Sequence, residues 1–281
     1  MTLYHTETGT IDLLEWGDGP DLFVLLHATA AGPQSLAGLA RELATPSRRI
    51  VAPALQGYGK TDMHAGGDPL DVHAAVAAAC LDLFPARSRV LFGHSVGGLI
   101  ALVAALLGAP LDALVLYEPI VIGCLRDDDP GDAACKRWDR SVVAAFEQDL
   151  TEGRVESAIG TFMAGWSEVV LADLPEAVRA RMVARFAASA PRIGAEIRAA
   201  SYRKLPPEAL ARITQQVLIL QGSASPEVTH RMSARLCGDL PAGRLVRVPG
   251  SRHMGPMQAP AAVAAAIGQG WGDARGAWAP P

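Results

Sequence analysis

The sequence predicts an α/β protein: a mostly parallel sheet covered on both faces by helices, with a separate block of helices inserted into it. Three observations carry this expectation. Short apolar, β-prone runs alternate with helical segments through residues 10–122. One such run, 89–92, stops at Gly93-His94-Ser95-Val96-Gly97-Gly98 and passes into a long apolar stretch over 99–107, the pattern of strand, tight turn and buried helix. From 123 to 213 the buried strands vanish and amphipathic helical patterning takes over, and strands return at Gln216.

Taken in order, residues 10–16 and 22–27 read as strands joined by Gly17-Asp18-Gly19-Pro20, a composition that predicts a hairpin turn. The second run is apolar throughout, as a strand covered on both faces should be. A small-residue loop, His27-Ala28-Thr29-Ala30-Ala31-Gly32-Pro33, then leads to a helix over 34–43, and 49–55 forms the next strand. An Ala-rich helix over 71–83 precedes the strand that ends at Ser95, and another strand over 112–117 ends at Glu118-Pro119. Helices are expected over 136–150, 155–169, 176–188 and 193–202, punctuated by Pro175, Pro191 and Pro206-Pro207. The sheet resumes at 216–222, followed by a helix over 226–237 and a strand over 244–249. A loop holding His253 leads to one last helix over 257–270, and the tail 276–281 is expected to be loosely held. The expected division is a core from residues 1–122 and 214–281 and a helical cap from 123–213.

With 281 residues, half of them apolar, the chain can bury one large core. A net charge of −4 with no long block of either sign offers no electrostatic footprint for nucleic acid or an anionic membrane. The N-terminal residues lack the pattern of a secretory signal, and the longest apolar run, 99–107, is too short to span a bilayer. These features predict a soluble, cytoplasmic protein whose partner is a small molecule, with a homodimer left open. The four cysteines, at 80, 124, 135 and 237, lack close pairing or metal-ligand spacing, so neither a disulfide framework nor a zinc site is expected. No metal and no cofactor enters the reading.

Chemically, the turn at Ser95 is the most informative stretch. Glycines at 93 and 97 remove side chains where strand and helix crowd, which leaves the serine hydroxyl exposed at the apex. The helix that starts there aims free N–H groups and a positive dipole end beside that oxygen. A serine hydroxyl is protonated at neutral pH and needs an adjacent base, for which histidine is suited.

The motifs Leu25-Leu26-His27, Ala52-Pro53-Ala54-Leu55-Gln56-Gly57-Tyr58-Gly59-Lys60-Thr61, Gly93-His94-Ser95-Val96-Gly97-Gly98 and Ser251-Arg252-His253-Met254-Gly255-Pro256, in this order, resemble the capped serine hydrolases of the α/β-hydrolase fold over residues 10–270. The resemblance implies an esterase- or lactonase-like enzyme in which Ser95 is the nucleophile and His253 the base. It implies an oxyanion hole from the N–H groups of Val96 and Thr29, with His27 shaping the loop. Three departures stand out. The usual His-Gly is His27-Ala28; the usual Asp and Arg of the next motif are Ala54 and Gln56, a loss of support for the loop; and the usual Asp of a Gly-x-x-Asp pattern after strand 216–222 is Ser225.

A serine cannot neutralise an imidazolium, so the acid must come from elsewhere or be missing. Some capped members place it after the strand next to the nucleophile's, here Glu118, which is favoured over Glu227, whose position on the first turn of a helix suits capping. A weakened Ser–His pair is the remaining reading. His94, Met163, Trp166 and Met254 are candidate pocket residues, with core packing the ordinary fate of the cap's aromatic and methionine side chains. The function expected is hydrolysis of a small to medium ester or lactone through an acyl-enzyme. Two alternatives stay open: a carbon–carbon bond hydrolase on the same residues, with Arg140, Arg185 or Arg192 holding a carboxylate, and a non-hydrolytic ligand-binding member of the fold.

Overall fold

In the computed structural model, residues 1–6, 9–63, 67–166 and 170–272 are described. Strands β1 (Thr2–Thr6), β2 (Gly9–Trp16) and β3 (Asp21–Leu26) come first, followed by α1 (Ala37–Leu43), β4 (Arg48–Pro53), the two-residue β5 (Asp62–Met63) and α2 (Pro69–Asp82). Next are β6 (Ser88–His94), α3 (Val96–Leu106) and β7 (Ala113–Tyr117). Five helices intervene: α4 (Pro130–Thr151), α5 (Val155–Trp166), α6 (Glu176–Ala187), α7 (Ala190–Tyr202) and the short α8 (Pro207–Leu210). The chain closes with β8 (Gln216–Gly222), α9 (Glu227–Asp239), β9 (Gly243–Val248), α10 (Gly255–Gln258) and α11 (Pro260–Gly272).

The strands form one sheet in the order β1-β2-β4-β3-β6-β7-β8-β9, with β5 on β2. From β4 to β9 all neighbours are parallel, and β1 and β2 add an antiparallel edge. Every residue of β3 and β7 is buried, because helices cover both faces. Side chains alternate between two cores as the strand period of two requires. Val24, Leu91, Leu114 and Leu116 join α2, α3 and α9 on one face, whereas Phe23, Leu25, Phe92 and Val115 meet α1 and α11 on the other.

Two local expectations are corrected. The runs at 9–16 and 21–26 do not form a hairpin, because β4 lies between them, antiparallel to β2 and parallel to β3. Gly17 and Gly19 serve this crossing: a Cβ on Gly17 would run into the backbone of Arg48 and one on Gly19 into that of Ser47 and Arg48, and Gly17 holds φ +70°. The single helix expected over 257–270 is two. Ala259 leaves the helical region at φ −137°, ψ 53° before Pro260, whose ring disfavours a helical predecessor and which donates no N–H.

The helices between β7 and β8 have their own core, built on Val143, Phe146, Ile159, Phe186, Ile193 and Ile197. They are tied to α9 by ions: Asp132, fully buried, and Asp129, the N-cap of α4, pair with Arg231 and Arg235 at 2.7–3.0 Å. Among the described residues no helix is long and apolar enough to cross a membrane. The tail expected to be loosely held lies outside the described residues.

Candidate active site

Ser95 joins β6 to α3 with φ 58° and ψ −123°, a conformation an L-residue adopts only under constraint. The constraint comes from crowding. A Cβ on Gly93 would meet the backbone of Gly97 and Gly98, and one on Gly97 would approach the carbonyl oxygens of Leu26 and His27 at 2.6–2.7 Å. The Ser95 N–H donates to the Tyr117 carbonyl at 3.0 Å, and its own carbonyl accepts from Gly98 and Ile120.

Ser95 Oγ lies 3.0 Å from His253 Nε2, and His253 Nδ1 lies 2.8 Å from Glu118 Oε2. A carboxylate only accepts, so Nδ1 carries the proton and Nε2 is free to accept from the serine. Glu118 is fully buried at the end of β7 with φ 42°. Its second oxygen accepts the Gly222 N–H at 2.7 Å, and its own N–H donates to Leu220. Thus β7 supplies a buried, hydrogen-bonded anion beside His253. Ser225 does not join this chain, and its buried Oγ has no partner among the described residues. Glu227 is exposed and pairs with Arg231 on α9 at 3.1 Å.

The loop carrying His253 is held from behind. Tyr117 donates to the Arg252 carbonyl at 2.7 Å and meets Ser251 Oγ at 2.8 Å. His94 Nε2 donates to the His253 carbonyl at 2.8 Å. His94 was expected in the pocket wall, but it is fully buried behind His253 and does not line the cavity, since it shares the strand face of Val90 and Phe92. Burial, with the neighbouring His253 as a second cause, pushes its pKa down to about 3, so the ring is neutral. His27 is likewise driven to about 4, chiefly by burial. Its Nδ1–H donates to Ala28 O at 2.9 Å, and Nε2 accepts from the Leu55 N–H.

Above Ser95 and His253 lies a cavity of about 520 Å³ walled by the helices between β7 and β8, within the range of small-molecule sites. Met163, Trp166 and Met254 line it, as does Thr29; the Trp166 ring sits 5.8 Å from that of His253. Val96 is the first residue of α3, so its N–H has no intrahelical acceptor. Of the three candidate arginines, Arg185 and Arg192 line the cavity, yet both are engaged. Arg185 donates to the Ala31 carbonyl, and Arg192 stacks 3.8 Å over the Tyr58 ring. Arg140 is exposed on α4 and is not in the wall. Among the described residues no cluster of histidine, cysteine and acid side chains is arranged to hold a metal.

Two further residues belong to this geometry and carry no motif. Tyr117 anchors the His253 loop, and Glu196 on α7 accepts a hydrogen bond from Thr29 Oγ1 at 3.1 Å. A signal for Glu196 exists: it shares the i, i+3, i+4, i+7 stripe with Ile193, Ile197 and Ala200, all buried. A charge in that stripe must have partners.

Comparison with known proteins agrees with this fold. An α/β hydrolase from Sphaerobacter thermophilus is 22% identical with a TM-score of 0.70, over 95% of this chain and 99% of its own. An esterase from Exiguobacterium antarcticum is 19% identical with a TM-score of 0.72, over 95% and 98%. Est816, described as an N-acyl homoserine lactone degrading enzyme, is 20% identical with a TM-score of 0.68, over 95% and 99%. At such identities the likeness is one of fold. No curated protein sequence matches the chain. Residues 23–266 match the alpha/beta hydrolase family, and the chain belongs to that family.

Proposed function

We propose that this protein is a serine hydrolase that cleaves a small to medium ester or lactone through an acyl-enzyme. The hydrogen-bonded line from Ser95 Oγ through His253 to Glu118 carries this reading. In it, Ser95 Oγ attacks the carbonyl carbon while His253 Nε2 takes the hydroxyl proton. Glu118 stabilises the imidazolium without becoming protonated. The N–H groups of Val96 and Thr29 face the developing oxyanion, each such donor contributing about 3–4 kcal/mol to the transition state. His253 then protonates the leaving alkoxide, and water repeats the sequence on the acyl-enzyme.

The wall supports an apolar acyl or alcohol group. Ile159, Phe162, Met163, Trp166 and Phe186 face the cavity, and unbranched methionine adapts to differing chain shapes. Prior engagement of Arg185 and Arg192 counts against a dedicated carboxylate site, and so against the carbon–carbon hydrolase. With an acid at Glu118, the vacancy at position 225 no longer motivates a non-hydrolytic protein.

A fluorophosphonate probe tests this directly. Ser95 is expected to be labelled, and the Ser95→Ala variant to lose both labelling and turnover of p-nitrophenyl esters. An unlabelled wild-type protein, under conditions that label ordinary esterases, sinks the reading.

A further inference from the structure

The loop that carries Thr29 lacks the support its motifs would ordinarily supply, since positions 28, 54 and 56 are Ala, Ala and Gln. Its support arrives instead from the inserted helices. Glu196, on α7, is 1% exposed and reaches across to the sheet. Its Oε2 accepts from Tyr58 Oη at 2.9 Å and from Thr29 Oγ1 at 3.1 Å. Its Oε1 lies 3.1 Å from His73 Nε2 and 3.5 Å from Arg192 Nη1. His73 Nδ1 accepts the Gln56 N–H at 3.2 Å, so His73 Nε2 bears the proton and donates to the carboxylate.

Tyr58 extends the reach of this carboxylate. While donating to Glu196 it accepts the N–H of Ala30 at 2.8 Å, the residue after Thr29, held at φ 64°. Its ring packs edge-on against His27 at 4.6 Å and under the Arg192 guanidinium. One buried anion therefore fixes Thr29 by its side chain and Ala30 by its backbone. The peptide unit between these fixings and His27 is the one that orients the Thr29 N–H.

We propose that Glu196 is a positioning residue that sets the oxyanion loop, so that correct seating of α7 on the sheet is a condition for a competent oxyanion hole. This rests on Ser95 being the nucleophile. Donors to an oxyanion act only when aimed at where charge develops, and small misplacements cost far more in turnover than in ground-state binding. Glu196 touches no reacting atom and acts through Thr29 and Tyr58.

The test compares Glu196→Ala, Glu196→Gln, Tyr58→Phe and Thr29→Val with wild type on p-nitrophenyl butyrate. Glu196→Ala is expected to lower kcat roughly ten- to a hundredfold with KM within about threefold, the signature of a lost transition-state interaction. Tyr58→Phe and Thr29→Val are expected to show smaller falls in kcat of the same kind. Glu196→Gln keeps an acceptor oxygen for Tyr58 and Thr29 but turns its NH2 toward the donors of His73 and Arg192, and is expected to recover only part of the loss. A trifluoromethyl ketone, which forms a tetrahedral adduct with the serine, should bind Glu196→Ala more weakly in proportion to the loss in kcat/KM. Butyrate, a ground-state ligand, should bind as it does to wild type.

If Glu196→Ala does not fold, Tyr58→Phe and Thr29→Val, each lacking one hydroxyl, decide the matter by the same readouts. Wild-type kcat in these variants, or equal weakening of ketone and butyrate, overturns the role of Glu196 and leaves the hydrolase reading standing. A wild-type protein that neither labels with fluorophosphonate nor turns over esters overturns both.

Discussion

Glu118 Oε2 lies 2.8 Å from His253 Nδ1, and the two side chains are 135 positions apart in the sequence. The carboxylate is fixed by the Gly222 N–H and excluded from solvent, so its interaction with the His253 ring is not screened by water. Glu118→Gln is expected to lower kcat at least about a hundredfold with little change in KM. Glu227→Gln, which alters only a surface pair with Arg231, is expected to leave kcat within about twofold. Steady-state kinetics on one ester decides between them, and the reverse ranking removes Glu118 from its role.

His27 and His94 make folding stability depend on acidity. Burial depresses their pKa values from the ordinary 6.5 to about 4 and about 3, so the unfolded chain binds protons that the folded chain refuses. Their contribution is complete above about pH 6.5 and is lost as the pH falls toward 4 and 3. Each contributes a slope of about 1.4 kcal/mol per pH unit inside that window. Urea denaturation at pH 7.5, 6.0 and 5.0 should show falling stability, and His94→Gln should show a shallower fall. Stability that holds level from pH 6.5 to 5 would contradict this.

Asp139 on α4 works in the opposite sense. Burial raises its pKa from 3.8 to about 6, and Oδ2 has no partner among the described residues. Its contribution is complete below about pH 3.8 and is lost as the pH rises through 6, where the buried group must ionise. Asp139→Asn keeps the shape without the charge, and is expected to add about 1–2 kcal/mol to unfolding at pH 8. The gain should vanish by pH 4 in denaturant titrations.

Met163 lines the same cavity as Ser95. Met163→Trp fills part of that space, so kcat/KM for p-nitrophenyl octanoate should fall roughly tenfold or more relative to the acetate. A parallel decline on both esters would mean that Met163 does not limit chain length.

The sheet and its central site were legible because their signals are local. Strand ends punctuated by glycine mark Ser95, and Glu118 and His253 each follow directly on an apolar strand or its short loop. The false hairpin at 17–20 shows the limit: turn composition is local, but the insertion of β4 between β2 and β3 is a long-range event. Glu196 and His73 were missed for a different reason. Each sits in an apolar helical stripe, His73 beside Leu70, Ala74 and Ala77, where the hydrophobic pattern masks a single polar residue. The contacts that bring them to the loop are long-range, 123 positions for this pair and 167 from Glu196 to Thr29. The place of His94 was readable, since strand alternation puts it with Val90 and Phe92.

The hydrogen bonds from Ser95 N–H to Tyr117 and from Glu118 N–H to Leu220 bind Ser95 and Glu118 into β6, β7 and β8, three adjoining parallel strands. Those two residues cannot part unless the sheet itself opens. His253 rides on a loop held by Tyr117, His94 and a few backbone contacts, and such segments open at lower free energy than core strands. Warming should therefore silence the enzyme by releasing its base, reversibly, at temperatures where the sheet is still whole.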